Sequence, residues 1–191
     1  RDLHSFPTRR SSDLQLVPKK PRCLIWGRIV PMKRLDVAID ACQKLGWQLD
    51  IIGKGPDTDR LKKLAGPHTN FLGFVDDTTR EKHIKEADLF IFCSHEDFGI
   101  APVEALAAGI PVVAYQAGGA LDYIKPGKNG WFFSEQTAEQ LIKTLKELPG
   151  KKVSPVKISA TANEFSATIF RKSMKNIVEK SWKEYSHENR H

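Results

Sequence analysis

The feature that most restricts the fold is an alternation. Six short apolar runs, "CLIWG", "WQLDIIG", "TNFLGF", "DLFIFC", "PVVAY" and "GWFF", are each followed by a polar turn and then a segment of helical period. The helical segments fall at 36–45, 58–65, 78–87, 102–108, 120–124 and 138–148. Runs that are apolar throughout and separated by helices must pair in parallel, buried on both faces. The expected fold is therefore α/β, a doubly wound parallel Rossmann-like sheet. Sheets of this kind hold ligands in the crevice beyond the carboxyl ends of their strands, so the loops after the strands are where function is sought. Beyond Pro149 the pattern is helical only. "FSATIFRKSMKNIVEKSWKEY" places Phe165, Ile169, Phe170, Met174, Ile177, Val178 and Trp182 near one stripe, as in an amphipathic helix that packs on this domain or on a neighbour.

Composition sets the outer bounds. The 191 residues, 40% hydrophobic and 28% charged, suffice for one core and a small appendage. Cys23, Cys42 and Cys93 are odd in number, and none lies at disulfide or metal-ligand spacing, which favours a reducing, cytoplasmic setting. No apolar run reaches the roughly 18 residues that span a bilayer, and no signal peptide is recognised. The net charge of +7 suits an anionic partner such as phosphate or a lipid head group, or simply a solvated basic surface. Its Lys and Arg residues are scattered rather than interleaved with aromatics, so a nucleic-acid groove is not expected.

Residues 4–14, "HSFPTRRSSDL", have no apolar period and resemble the translation of a common short-read sequencing adapter. Residues 1–14 are therefore read as an assembly artefact and the domain is taken as 15–191. The native reading frame is expected to have continued upstream of Gln15.

Three loops carry the chemistry. In "GRIVPMKR", Gly27 opens the loop after the first strand, and Arg28 and Lys33 flank a proline turn that can bring both cations over one crevice. There they would hold a diphosphate by a guanidinium fork and a point charge, or else stand as two solvated loop cations. In "IIGKGPDTDRL" no third glycine completes a dinucleotide fingerprint after Gly53 and Gly55. Asp57 and Asp59 spell an Asp-x-Asp pattern but stand where a helix starts, so they are read as helix-start acids and no metal is expected. In "EDFGIAPVE", Pro102 suits the first helical position, which would put Glu104 at the third with Ala101 as a cap lacking a side-chain oxygen. Glu104 is then available to accept from a ribose diol, with Glu96 farther out facing a second polyol. The amides of Phe98, Gly99, Ile100 and Ala101 would meet a phosphate between them. Polyol, phosphate, polyol is the layout of a nucleotide-sugar.

In that order, "GRIVPMKRLD", "IIGKGPDTDRLKKLA", "NFLGFVDD", "EDFGIAPVEALAAGIPVVAYQAGGALDYI" and "GKNGWFF" make the stretch 22–185 resemble the C-terminal, donor-binding half of family 4 GT-B glycosyltransferases. These are retaining enzymes that use nucleotide-diphosphate sugars. The resemblance implies that Arg28 and Lys33 bind the diphosphate and stabilise its departure. It puts Glu96 on the transferred sugar without making it a nucleophile, and these three form the catalytic set. Glu104 falls on the ribose, Phe98 to Ala101 on sugar and phosphate, and Phe74 and Val75 on the base. The wording is most like bacterial mannosyltransferases of polysaccharide assembly, so GDP-mannose is the first choice of donor, with UDP- and ADP-sugars open, and no further cofactor is implied.

The same resemblance implies an N-terminal half, absent here, that receives a glycan or lipid-linked acceptor. The isolated chain would then bind donor without turning it over, and the intact protein would be cytoplasmic or peripheral at the inner face of the cytoplasmic membrane. Two other classes stay open: a non-catalytic nucleotide-binding module, which would not need Glu96, and a nucleotide-sugar epimerase of similar fold.

Overall fold

The structure, a computed structural model, describes residues 14–188, with side chains through Ser186. The adapter-like segment, apart from Leu14, lies outside the described residues.

Six parallel strands form the central sheet: β2 (Cys23–Trp26), β3 (Leu49–Ile52), β4 (Thr69–Gly73), β5 (Leu89–Phe92), β6 (Val112–Tyr115) and β7 (Gly130–Phe133). They lie in the order β4-β3-β2-β5-β6-β7. A short antiparallel pair, β1 (Gln15–Leu16) with β8 (Lys152–Val153), closes the chain ends of the domain. The interior strands β2, β3 and β5 are buried at every position, as their unbroken apolar runs require, whereas the edge strand β4 is only partly buried.

Alternate residues of each strand feed two cores. On one face Cys23, Ile25, Leu49, Ile51 and Ile91 pack under α1 (Leu35–Leu45) and α6 (Ala138–Lys146). On the other, Leu24, Trp26, Phe90, Val112 and Ala114 pack under α4 (Ile100–Ala107), α5 (Ala120–Tyr123) and α7 (Pro155–Thr161). All three cysteines are buried and free in the first core. Helix α2 (Thr58–Leu64) follows β3 and buries Leu61.

Helix α3 (Asp77–Glu86) is held differently, because Ile84 is its one buried residue. Its docking is polar. Asp50, 1% exposed on β3, accepts from Asn70 Nδ2 at 2.8 Å and Arg22 Nε at 3.1 Å, and lies 2.9 Å from His83 Nδ1. Arg22 reaches on to Glu86 at 2.5 Å. Burial pushes the Asp50 carboxyl up, but the bonds from Asn70 and His83 and the charge of Arg22 outweigh it, so its pKa lies below the ordinary value.

The terminal helix α8 (Ala167–Glu188) leaves Phe170, Ile177, Val178 and Trp182 exposed, each by more than half. The expected stripe is present; its root at Phe165 packs on this domain, while the part from Phe170 onward is largely exposed. No helix among the described residues is long and apolar enough to cross a membrane.

Asp50→Ala should destabilise the domain by about 3 kcal/mol, since it strands Arg22 and His83 around a buried void. Because the folded pKa is lowered, the stability Asp50 supplies is complete above its unfolded pKa of about 3.9 and is lost as pH falls below that. Denaturant titrations at neutral pH and near pH 3 should therefore show the gap between wild type and Asp50→Ala shrink on acidification.

Candidate functional site

The strand order reverses between β2 and β5, so the loops leaving these two strands part in opposite directions and open a crevice between them. The β2–α1 loop brings Gly27, Arg28 and Lys33; the β5–α4 loop brings Glu96 through Ala101. Both are fixed by close backbone approach. A Cβ on Gly55 would lie 1.9 Å from the Ile29 carbonyl oxygen, so only glycine lets the β3–α2 loop run against the cation-bearing loop. The Gly-x-Gly of "IIGKG" is thus a packing device. Across the crevice a Cβ on Gly119 would lie 2.4 Å from the Asp97 carbonyl oxygen, and the Gly119 amide donates to the Glu96 carbonyl at 2.9 Å.

Lys33 and Glu96 meet over the crevice. The ammonium lies 3.0 Å from Glu96 Oε1, each side chain 21% exposed, while that oxygen is buried with no aligned hydrogen bond among the described residues. The contact is an ion pair held by charge rather than direction, and an incoming phosphate or hydroxyl can recruit either partner. Arg28, by contrast, is exposed and has no ion-pair or hydrogen-bond partner among the described residues. The two cations therefore differ: one is held by the Glu96 carboxylate and the other is free.

Helix α4 starts earlier than its sequence suggested. Gly99 takes φ +80° and is the cap, Ile100 is the first helical residue, and Pro102 is the third. A glycine can enter the helix from this left-handed conformation, and a proline is tolerated anywhere in the first turn because its missing N–H would have no intrahelical acceptor. Glu104 is then the fifth residue, outside a capping box. It accepts instead from the Trp26 indole Nε1 at 2.9 Å. No side chain caps this helix end, which starts from the β5–α4 loop, so its first amides are left without a side-chain acceptor. Beneath them the Tyr123 hydroxyl is buried with no partner among the described residues. Burial first, and the negative Glu96 second, push its pKa well above the ordinary tyrosine value.

A cavity of about 380 Å³ is lined by Trp26, the partner of Glu104, together with Arg28, Lys54, Phe74, Val75 and Arg80, among others. It unites the residues expected at the base with one of the two cations. Phe74 is 83% exposed at its rim. Lys54 and Arg80 were missed by sequence reasoning, although both follow strands at the ligand-bearing edge; Arg80 is paired with Asp77 at 3.4 Å. Phe98 and Ile100 turn their side chains the other way, into an apolar cleft of about 480 Å³ against the start of α8, so only their backbone faces the crevice. Asp57 is the cap residue of α2 and Asp59 lies in its first turn, so both stand at a helix start as read, but the Asp57 carboxylate is clamped by Arg60 at 2.6 and 2.7 Å and makes no cap bond of its own. No group of three or more potential metal ligands occurs among the described residues.

Residues 8–164 match the family described as glycosyl transferases group 1. The chain belongs to that family. It is 31% identical over 159 residues to the sulfoquinovosyl transferase SQD2 of Arabidopsis thaliana, covering 77% of this chain and 31% of that protein. It is 27% identical over 171 residues to a GDP-mannose-dependent phosphatidylinositol monomannoside mannosyltransferase of Mycobacterium tuberculosis, covering 80% of this chain and 44% of that one. The chain thus spans less than half the length of these group 1 relatives. Among solved structures, the apo lipopolysaccharide outer core galactosyltransferase WaaB superposes with TM-score 0.73 at 23% identity, over 93% of this chain and 55% of that one. The fold is that of the GT-B glycosyltransferases.

Gly119→Ala should destabilise the domain by about 1–3 kcal/mol, because the new methyl meets backbone that cannot rotate away. In the same variant the Glu96 loop must shift. Chemical denaturation, with the Lys33 side-chain nitrogen resonance as a local reporter, should register both changes.

Proposed function

We propose that this chain is the donor-binding half of a retaining glycosyltransferase that moves a hexose from a nucleotide-diphosphate sugar to a glycan or lipid-linked acceptor. One arrangement carries the reading: cations, an uncapped helix start and two carboxylates of different surroundings are carried by the two loops, and the helix after one of them, that leave the sheet at its reversal point. Arg28, with Lys33, takes the diphosphate together with the α4 amides. Glu104 takes the ribose, Phe74 and Val75 border the base, and Glu96 faces the transferred sugar. Family membership supports sugar transfer as the reaction, and the GDP-mannose-dependent relative supports GDP-mannose as the first donor to test.

The acceptor would be received by an N-terminal half, in keeping with the share of its relatives that the chain spans. The exposed stripe of α8 is the surface we assign to contact with that half. The intact protein is placed in the cytoplasm or at the inner face of the cytoplasmic membrane. Without the second half, donor binding alone leaves the reacting sugar short of stabilising groups, so the isolated chain should bind without transferring.

Calorimetric titration with GDP, UDP and ADP in the presence of a chelator should show binding of at least one, and a folded sample silent to all three would defeat the reading. Arg28→Ala should then cost about 1.5–3 kcal/mol of that binding, the range for a charge-assisted hydrogen bond.

The two glutamates should separate by ligand. Glu104→Ala weakens nucleoside diphosphate and nucleotide-sugar alike, whereas Glu96→Ala weakens only the sugar-bearing ligand. Equal losses for both ligands in Glu96→Ala would favour a plain nucleotide-binding module.

A further inference from the structure

Glu104 is a half-buried carboxylate with no cationic partner among the described residues. The one hydrogen bond its side chain receives comes from a neutral donor, the indole Nε1 of Trp26, at 2.9 Å to Oε2. Trp26 is the last residue of β2 and is 7% exposed. Its ring is held edge-on against Phe90 of β5, centroids 4.5 Å apart at 61°, so the indole N–H has little freedom to turn away. The contact spans the sheet reversal, from β2 to α4.

We propose that Trp26 is a positioning residue for nucleotide recognition, orienting the Glu104 carboxylate so that its remaining acceptor sites meet a ribose diol. This rests on the assignment of Glu104 to the ribose. The chemistry of the donor supports the role. An ionised carboxylate offers about four acceptor sites, and an indole supplies a single N–H and no acceptor. It can therefore fix the plane of the carboxylate while occupying one site, which leaves Oε1 whole and half of Oε2. A lysine or arginine in its place would neutralise the charge and compete for both oxygens. Two vicinal hydroxyls are two donors, matched to what is left. A buried indole would otherwise leave its N–H without a partner, so the bond also satisfies the strand from which it projects. Trp26 further lines the cavity that holds Arg28 and Phe74, so one side chain borders both the base cavity and the ribose carboxylate.

The test compares whichever of GDP, UDP and ADP binds best with its 2′,3′-dideoxy counterpart, by calorimetry on the full chain. Trp26→Phe should weaken the ribonucleotide about five- to tenfold, the net effect of one ordinary hydrogen bond, and leave the dideoxy ligand within about twofold. In the Glu104→Ala background the same change should have no further effect on either ligand. Equal weakening of both ligands, or a loss that persists without Glu104, would show that the ring merely shapes the cavity and would overturn the proposal. Should Trp26→Phe fail to fold, the wild-type chain serves. With its four tryptophans labelled at the indole nitrogen, the Trp26 resonance, identified by its response to Glu104→Gln, should move on adding either ligand, since the ring lines the base cavity, but clearly farther with the ribonucleotide than with the dideoxy ligand. Equal movement with both ligands overturns the proposal. A wild type that binds no nucleoside diphosphate at all would instead defeat the donor-binding reading on which it rests.

Discussion

Parallel pairing sends every strand's carboxyl end to one edge of the sheet, and the reversal of order between β2 and β5 leaves a gap there that no connection crosses. The rest of the site depends on that gap. Because the β2–α1 and β5–α4 loops leave its two sides, Lys33 and Glu96, 63 positions apart in the chain by subtraction of their residue numbers, meet at 3.0 Å. The loops cannot drift from this position. Gly55 on one flank and Gly119 on the other allow backbone to lie on backbone, with no side chain between to act as a compressible spacer. Rigid loop roots of this kind are what place long cationic side chains reproducibly, since lysine and arginine otherwise lose much rotamer freedom on being fixed.

The two ends of the sheet treat charge in opposite ways. At the amino ends, Asp50 receives bonds from Asn70, Gln48 and Arg22 and lies against His83, so a buried carboxylate is saturated and ties α3 in place. At the carboxyl ends, satisfaction is incomplete. Glu96 Oε1 and the Tyr123 hydroxyl are buried without a hydrogen-bond partner among the described residues, α4 is uncapped, and Arg28 is unpaired. Buried polar atoms are nearly always partnered in a folded protein. Exceptions also occur at Thr69 Oγ1 and Arg80 Nε, but among the described residues only by the β5–α4 loop do two of them meet an uncapped helix start, in contrast to the full satisfaction of Asp50 elsewhere in the same sheet.

The architecture was legible because burial on both faces writes itself into sequence as an unbroken apolar run, and all six runs became strands of the main sheet. β1 and β8 were not, since two residues each carry no period to read. The start of α4 was misplaced by two residues. Pro102 is a strong start signal, yet Gly99 won because only it adopts φ +80° at the loop exit. The loops of the site were found from the rule about strand ends and from motif resemblance, but partner choice within them was not. Nothing in "CLIWG" says that the indole nitrogen of its fourth residue meets a carboxylate 78 positions later. A clue existed in the chemistry alone: a tryptophan in an otherwise apolar buried strand must find an acceptor, and Glu104 is a carboxylate at the same edge of the sheet. Lys54 could likewise have been included by applying the strand-end rule to β3 as strictly as to β2.

The terminal helix bears on the site through its root. Most of α8 is exposed, so packing within this domain contributes little to holding it, and its order must come from propensity along 22 residues and from whatever surface covers its apolar stripe. At its base the situation changes. Phe165, just before the helix, meets Phe98 at a tilt, centroids 5.8 Å apart, and Tyr123 edge-on at 6.0 Å, and Phe98 lies 5.9 Å from Tyr123 in turn. Phe98 belongs to the loop between Glu96 and α4, and the Tyr123 hydroxyl sits where a Cβ on Gly99 would fall, 2.8 Å away. The three rings form one contact set shared by the helix root and the loop that carries Glu96. Close-packed side chains of this size do not shift one at a time. A reorientation of α8 about its base therefore requires the Phe98 loop to repack with it, and any displacement of that loop would be transmitted to α8 by the same contacts.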